Sequence, residues 1–113
     1  MSEVSYSDVE GSRKFIIKDE SGQIVGHAVA TPKDKSTLEL NSIQVNPPKR
    51  RQGYASHLLD EVINYARHIG ATKIEGDFVP EYRTESDRKA AHSFYEKHGL
   101  RVHNGRLVGS VVK

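Results

Sequence analysis

The stretch from Thr37 to Val79 constrains the fold more than any other part of the chain. Within it Ala55, Leu58, Leu59, Val62, Ile63, Ala66 and Ile69 recur at intervals of three and four, with Asp60, Glu61, Asn64, Arg67 and His68 between them. That period gives a helix with one apolar and one solvated face. Gly70 follows as a C-terminal stop. On either side stand runs that read as strands, Thr37 to Val45 and Thr72 to Val79. A strand, a helix and a strand joined by a right-handed crossover predict that the two strands lie parallel, with the helix packed on the sheet.

The first of these strands carries a second signal. Leu38 and Leu40 share one face, but the apolar positions then shift to Ile43 and Val45. A change of parity inside one strand predicts a β-bulge, which would turn the strand end away from its neighbour. Upstream, Arg13 to Lys18 and Gln23 to Thr31 flank Asp19-Glu20-Ser21-Gly22 and read as a β-hairpin. Downstream, Arg88 to His98 reads as a helix, with Ser86 or Asp87 as its cap, an apolar stripe of Ala91, Phe94, Tyr95 and His98, and Gly99 as its stop. Leu100 to Val112 contains Asn104-Gly105 between apolar runs, a strong hairpin signal. The expected order is β-β-β-α-β-α-β-β, an α/β (α+β) fold on a mixed twisted sheet. Val79 to Glu85 reads as a long loop, and residues 1 to 12 as a flexible or extended segment of a single domain spanning 1 to 113.

Between strand and helix lies Val45-Asn46-Pro47-Pro48-Lys49-Arg50-Arg51-Gln52-Gly53-Tyr54-Ala55. A helix start leaves backbone N–H groups without intrahelical partners and carries partial positive charge, so a turn built from small side chains lets an anion sit there. Gly53 and Ala55 are small, and Arg50 and Arg51 are basic. A solvated loop before a helix has the same composition, and spacing alone does not separate the two.

Two motifs do. Arg50-x-x-Gly53-x-Ala55, between a strand and an amphipathic helix, resembles the acyl-CoA-binding motif (Q/R-x-x-G-x-G/A) of the GNAT superfamily of N-acetyltransferases. Ala91-His92-Ser93-Phe94-Tyr95-Glu96-Lys97-His98-Gly99-Leu100 is similar to that family's A-x-x-x-Y-E-K-x-G-F helix ending. The resemblance covers roughly Phe15 to Val112 and implies transfer of an acetyl group from acetyl-CoA to a primary amine. It assigns the pantetheine arm to the main chain of Ile43, Gln44 and Val45, with the Val45 N–H as oxyanion donor. It assigns the pyrophosphate to Gln52, Gly53, Tyr54 and Ala55, with charge from Arg50 and Arg51 and a hydroxyl from Ser56. Tyr95 matches the tyrosine that protonates the departing thiolate, a task suited to a phenol because phenols and alkyl thiols hold protons about equally well. Glu39 falls where histone-acetylating members carry a general-base glutamate, with Asn41 and Ser42 as weaker polar candidates.

The chain also departs from the family. Seven residues before Tyr95 it has Arg88 where members commonly have asparagine. About a dozen residues precede the first recognisable strand, too few for the family's first strand and two helices, which usually wall the acceptor site. Either that site is open, suiting a protein amine, or a second copy of the chain completes it as a homodimer.

Composition excludes several classes. The 113 residues contain no cysteine, so a thiolate metal site, a disulfide framework and a cysteine acyl-enzyme are all ruled out. The six histidines show no i,i+4 pair with a carboxylate partner, and no metal is expected. No apolar run approaches the roughly 20 residues of a membrane span, and Met1 to Ser5 lacks the basic flank and apolar stretch of a signal peptide, which predicts a cytoplasmic protein. A net charge of +2 is too small to argue for nucleic acid, although Lys49-Arg50-Arg51 with Tyr54 would be the patch. The alternative of another class is a catalytically inactive CoA-binding regulatory or interaction module with the same fold.

Overall fold

The computed structural model describes residues 3–49, 52–77, 85–103 and 105–111. Seven strands and two helices follow one another as β1 (Glu3–Val9), β2 (Ser12–Lys18), β3 (Ile24–Pro32), β4 (Thr37–Val45), α1 (Tyr54–His68), β5 (Lys73–Asp77), α2 (Glu85–Lys97), β6 (Leu100–His103) and β7 (Arg106–Ser110). They form one sheet in the order β1-β2-β3-β4-β5-β7-β6. Every neighbouring pair is antiparallel except β4 and β5, which are parallel because α1 crosses between them.

α1 covers the sheet with Leu58, Leu59, Val62 and Ala66, all fully buried against Phe15, Ile17, Val25, Ala28, Ala30, Leu38, Leu40 and Ile74. The expected apolar stripe is therefore the core, with one correction. Ile69 is the C-cap rather than a helical residue, and it points out to solvent. Gly70 follows at φ +79°, its N–H bonded to the Arg67 carbonyl, while the Ala71 N–H reaches back to Ala66. This Schellman ending buries Ala71 against the core.

The β2–β3 hairpin is held by Asp19, whose carboxylate accepts from the Ser21 and Gln23 N–H groups at 2.9 and 3.0 Å. At the other end His103 pairs directly with Arg106, and Gly105 just before Arg106 has φ +74°.

The expectation that the first strand is lacking is corrected. Glu3–Val9 is an edge strand, paired with β2 along its whole length. Val4 lies opposite Ile17 and Tyr6 opposite Phe15, on the α1 side of the sheet, and every residue of β1 but Val4 is exposed, Tyr6 and Val9 included. β1 reaches β2 through Glu10 and Gly11 alone, both at positive φ (51° and 84°). Such a turn favours Asn or Asp before glycine, so Glu10-Gly11 carries a weak hairpin signal. The strand is present, and the helices that the family usually places after it are replaced by this turn. α2 is corrected too: it includes Glu85, so Ser86 and Asp87 lie inside its first turn rather than capping it. The expected loop from Val79 to Thr84 lies outside the described residues.

Candidate active site

β4 bonds along both edges over its first half. Its parallel ladder with β5 runs from Thr37↔Lys73 to Leu40↔Gly76, and among the described residues it ends there. On the other edge the register with β3 jumps from Ala30↔Leu40 to Val29↔Ser42, so Asn41 is the extra residue of a β-bulge. This is the bulge that the change of parity predicted. The Thr31 hydroxyl donates to Asn41 Oδ1 at 2.6 Å and lies 2.7 Å from the Ser12 hydroxyl. Past the bulge Ser42 to Val45 stay with β3 and, among the described residues, lie beyond the last rung with β5; this end of the parallel pair is the fork. Glycine permits close approach on both sides of β4: a Cβ on Gly76 would lie 2.6 Å from the Leu40 carbonyl oxygen, and one on Gly26 would lie 2.7 Å from that of Gln44.

Beyond the fork the Asn46 N–H bonds the Val25 carbonyl, and Pro47–Lys49 makes one 3-10 turn. Gln52 Nε2 reaches the Pro48 carbonyl at 3.4 Å. Gly53, at φ 87° and ψ 0°, turns the chain into α1. The first helical bond runs from the His57 N–H to the Gly53 carbonyl at 3.1 Å, so the N–H groups of Tyr54, Ala55 and Ser56 have no acceptor within the helix. No side chain caps this end, and the first turn holds no carboxylate. A Cβ on Gly53 would meet no atom of the described residues within 4 Å. Lys49 lies 3.9 Å from Asp19. Arg50 and Arg51 lie outside the described residues.

The candidate proton-handling residues occupy opposite faces of the sheet. Tyr95 is on α2, half-buried, its ring edge-on to Phe94 at 5.1 Å, on the side of α1 and the core. Glu39 sits between the buried Leu38 and Leu40 and therefore projects from the other face. There it receives Arg106: Nη1 to Oε2 at 3.3 Å and Nη2 to Oε1 at 3.2 Å. Arg106 also donates to Asp77 at 2.6 Å and to Glu75 at 3.3 Å. Hydrogen bonding to Asp77 and then to Glu39 raises the Arg106 pKa above its ordinary value. Lys73, at 2.9 Å, holds the Glu75 carboxyl below the usual carboxylate range, with a further contribution from Lys33. Thr31, Lys33, Glu39, Asn41 and Arg106 line a cavity of about 320 Å³. A larger one, about 510 Å³, opens between α1, the end of α2 and β7, and contains none of the expected site residues. Among the described residues no group of three His, Cys, Asp or Glu side chains could hold a metal ion, and no helix is long and apolar enough to cross a membrane.

The model of the acetyltransferase (GNAT) family matches residues 3–100. The chain belongs to the GNAT acetyltransferase family. Solved structures agree in fold. A GNAT family acetyltransferase from Elizabethkingia anophelis, with acetyl-CoA bound, is 16% identical with a TM-score of 0.74, over 96% of this chain and 97% of that one. Nourseothricin acetyltransferase is 18% identical with a TM-score of 0.73, over 91% of this chain and 67% of that one. A GNAT acetyltransferase from Staphylococcus aureus is 18% identical with a TM-score of 0.71, over 90% and 69%. No curated protein matches the chain.

In this GNAT chain, then, Ile43, Gln44 and Val45 lie on the β4 arm of the fork, and Gln52 to Ser56 lead into and open the helix that follows it. Glu39 stands below the fork on the second face, and Tyr95 on the first. Arg88, in the family's asparagine position, is exposed and pairs with Glu85 at 3.6 Å. Arg106 escaped sequence reasoning. Its partners Glu39, Glu75 and Asp77 are 67, 31 and 29 residues away, and nothing beside Asn104-Gly105 marks it.

Proposed function

We propose that this GNAT chain is an N-acetyltransferase that moves an acetyl group from acetyl-CoA to a primary amine by direct attack. The observation that carries this reading is the fork in β4 and β5 next to a helix start with neither a side-chain cap nor a carboxylate. A thioester arm entering the fork finds main chain from Ile43 to Val45 on one arm, and its pyrophosphate meets the N–H groups at the start of α1. The relative with acetyl-CoA bound shares this fold. Arg50 and Arg51 would add charge.

The opposed faces suit a direct transfer. On the Glu39 face the ammonium form of the acceptor gives one proton to Glu39 or through it to water, the neutral nitrogen attacks the carbonyl carbon, and the second nitrogen proton passes to solvent as the amide forms. The C–N bond forms, the tetrahedral oxyanion is met by the main chain near Val45, and the C–S bond breaks. The thiolate leaves toward the Tyr95 face and takes the phenolic proton, while Glu39 and Tyr95 re-equilibrate with solvent. No enzyme nucleophile is needed, in keeping with a sequence that has no cysteine.

The acceptor is an amine on a peptide or protein. β1 runs straight into β2, so among the described residues no helix lies on the Glu39 face, and a bulky acceptor can approach. One observation favours a second reading: both Glu39 oxygens are engaged by Arg106, as they would be in a CoA-binding module without turnover. Calorimetric titration with acetyl-CoA and thiol release across a panel of amines decide between the two. Binding with release that drops in Tyr95→Phe and Glu39→Gln supports the transferase; binding with no release on any amine supports the module.

A further inference from the structure

Arg106 joins three strands at the end of the described ladder between β4 and β5. It is the first residue of β7, paired with Asp77 at the end of β5, and its guanidinium reaches across β5 to Glu39 on β4. Nη1 donates to Asp77 and to one Glu39 oxygen; Nη2 donates to the other Glu39 oxygen and to Glu75. All four hydrogens on the terminal nitrogens are thus committed. The contact with Glu39 is fork to fork, a geometry that sets direction as well as distance. Glu75 has Lys73 and Lys33 as further partners, whereas the ion pair of Glu39 is with Arg106. Glu39 and Glu75 face each other one rung below Leu40↔Gly76, the last rung among the described residues. The clasp therefore sits at the vertex of the fork, on the face opposite the helices.

We propose that Arg106 is a positioning residue for acyl transfer, tying β4 to β5 at the vertex and aiming the Glu39 carboxylate along the cavity lined by Thr31, Lys33 and Asn41. The inference rests on the reading of Glu39 and the fork given above. An ammonium cannot reproduce it, because a point charge does not hold one carboxylate at both oxygens while bonding another. The helix start lies past the far end of β4, so loss of the clasp disturbs the transfer step more than acetyl-CoA binding.

Steady-state acetyl transfer in wild type, R106M, R106K, E39Q and R106M/E39Q, with circular dichroism of each, tests this. R106M is expected to lower kcat about 10- to 100-fold while the KM for acetyl-CoA changes less than about threefold. R106K recovers part of the loss, and the double variant is no slower than E39Q, since residues acting as a unit are not additive. Wild-type kcat in R106M, or a loss that adds in full to that of E39Q, overturns the inference and leaves the transferase intact. If R106M does not fold, R106K decides, and an unchanged kcat there is equally fatal. A wild-type protein that binds no acetyl-CoA and acetylates no amine sinks the transferase reading and the clasp with it.

Discussion

Gly53 carries two constraints that separate under mutation. Its φ of 87° is a backbone state that a residue with a Cβ enters at a cost of about 1–2 kcal/mol. A Cβ there would meet no atom of the described residues within 4 Å. Gly53→Ala should therefore lose only that backbone term in urea unfolding. Gly53→Glu should lose a similar amount of stability but abolish acetyl-CoA binding, since it puts a carboxylate at the helix start where the anion would sit; intact affinity by calorimetry would refute the site assignment. Acid stability is also settled by single residues. Asp8 is held below the usual carboxylate range by the Arg13 hydrogen bond, Asp19 by the Ser21 hydroxyl and Asp34 by the Ser36 N–H. A lowered folded-state pKa means that the unfolded chain takes up the proton first. The contribution is complete above about pH 5 and lost as pH falls through about 4 and below. Urea midpoints from pH 2 to 7 should show this fall, shallower in Asp8→Asn; because these carboxylates are exposed, added salt should blunt it.

Among elements, α1 and the bulge were legible in the sequence because their signals are local. The 3.6-residue period of Leu58, Leu59, Val62 and Ala66 needs one helix to be read, and the parity change from Leu40 to Ile43 needs one strand. β1 was not legible. Its three apolar residues, Val4, Tyr6 and Val9, break the alternation in an exposed edge strand, and its place is supported by Arg13, which bonds Asp8 at 2.7 Å and stacks on Tyr6 and on Tyr65 of α1, 3.9 and 4.2 Å from their ring centroids. The fork's vertex was half legible: a glycine stood in β5, but the Leu40 carbonyl against it belongs to another strand. Gly76→Ala should therefore lower stability by about 1–3 kcal/mol through overpacking at that rung. Gly70→Ala, with open space but positive φ, should lose about 1–2 kcal/mol and leave the sheet undisturbed. Amide hydrogen exchange distinguishes them: protection along Leu38–Leu40 and Ile74–Asp77 should fall in the first variant only.

For the whole molecule, the decisive arrangement is a sheet with both helices on one face and the Glu39 cluster on the other. Catalysis across such a sheet predicts tolerance of large acceptors. The kcat/KM for an amine on a peptide should match or exceed that of a small amine of similar basicity, and a deficit of about tenfold or more would show that something covers the face. By itself the sequence determined the parallel strand pair, the hairpins, the bulge, the glycine turn before α1 and, through two motifs, the family. Each is written within a few neighbouring residues, where backbone preference and side-chain period act directly. Only the tertiary structure decided that β1 completes the sheet, that Tyr95 and Glu39 stand on opposite faces, and that Arg106 gathers Glu39, Glu75 and Asp77 at the fork. Those relations depend on which strands pair and on the direction each side chain takes from the sheet, and the residues concerned are too distant along the chain for any local pattern to bring them together.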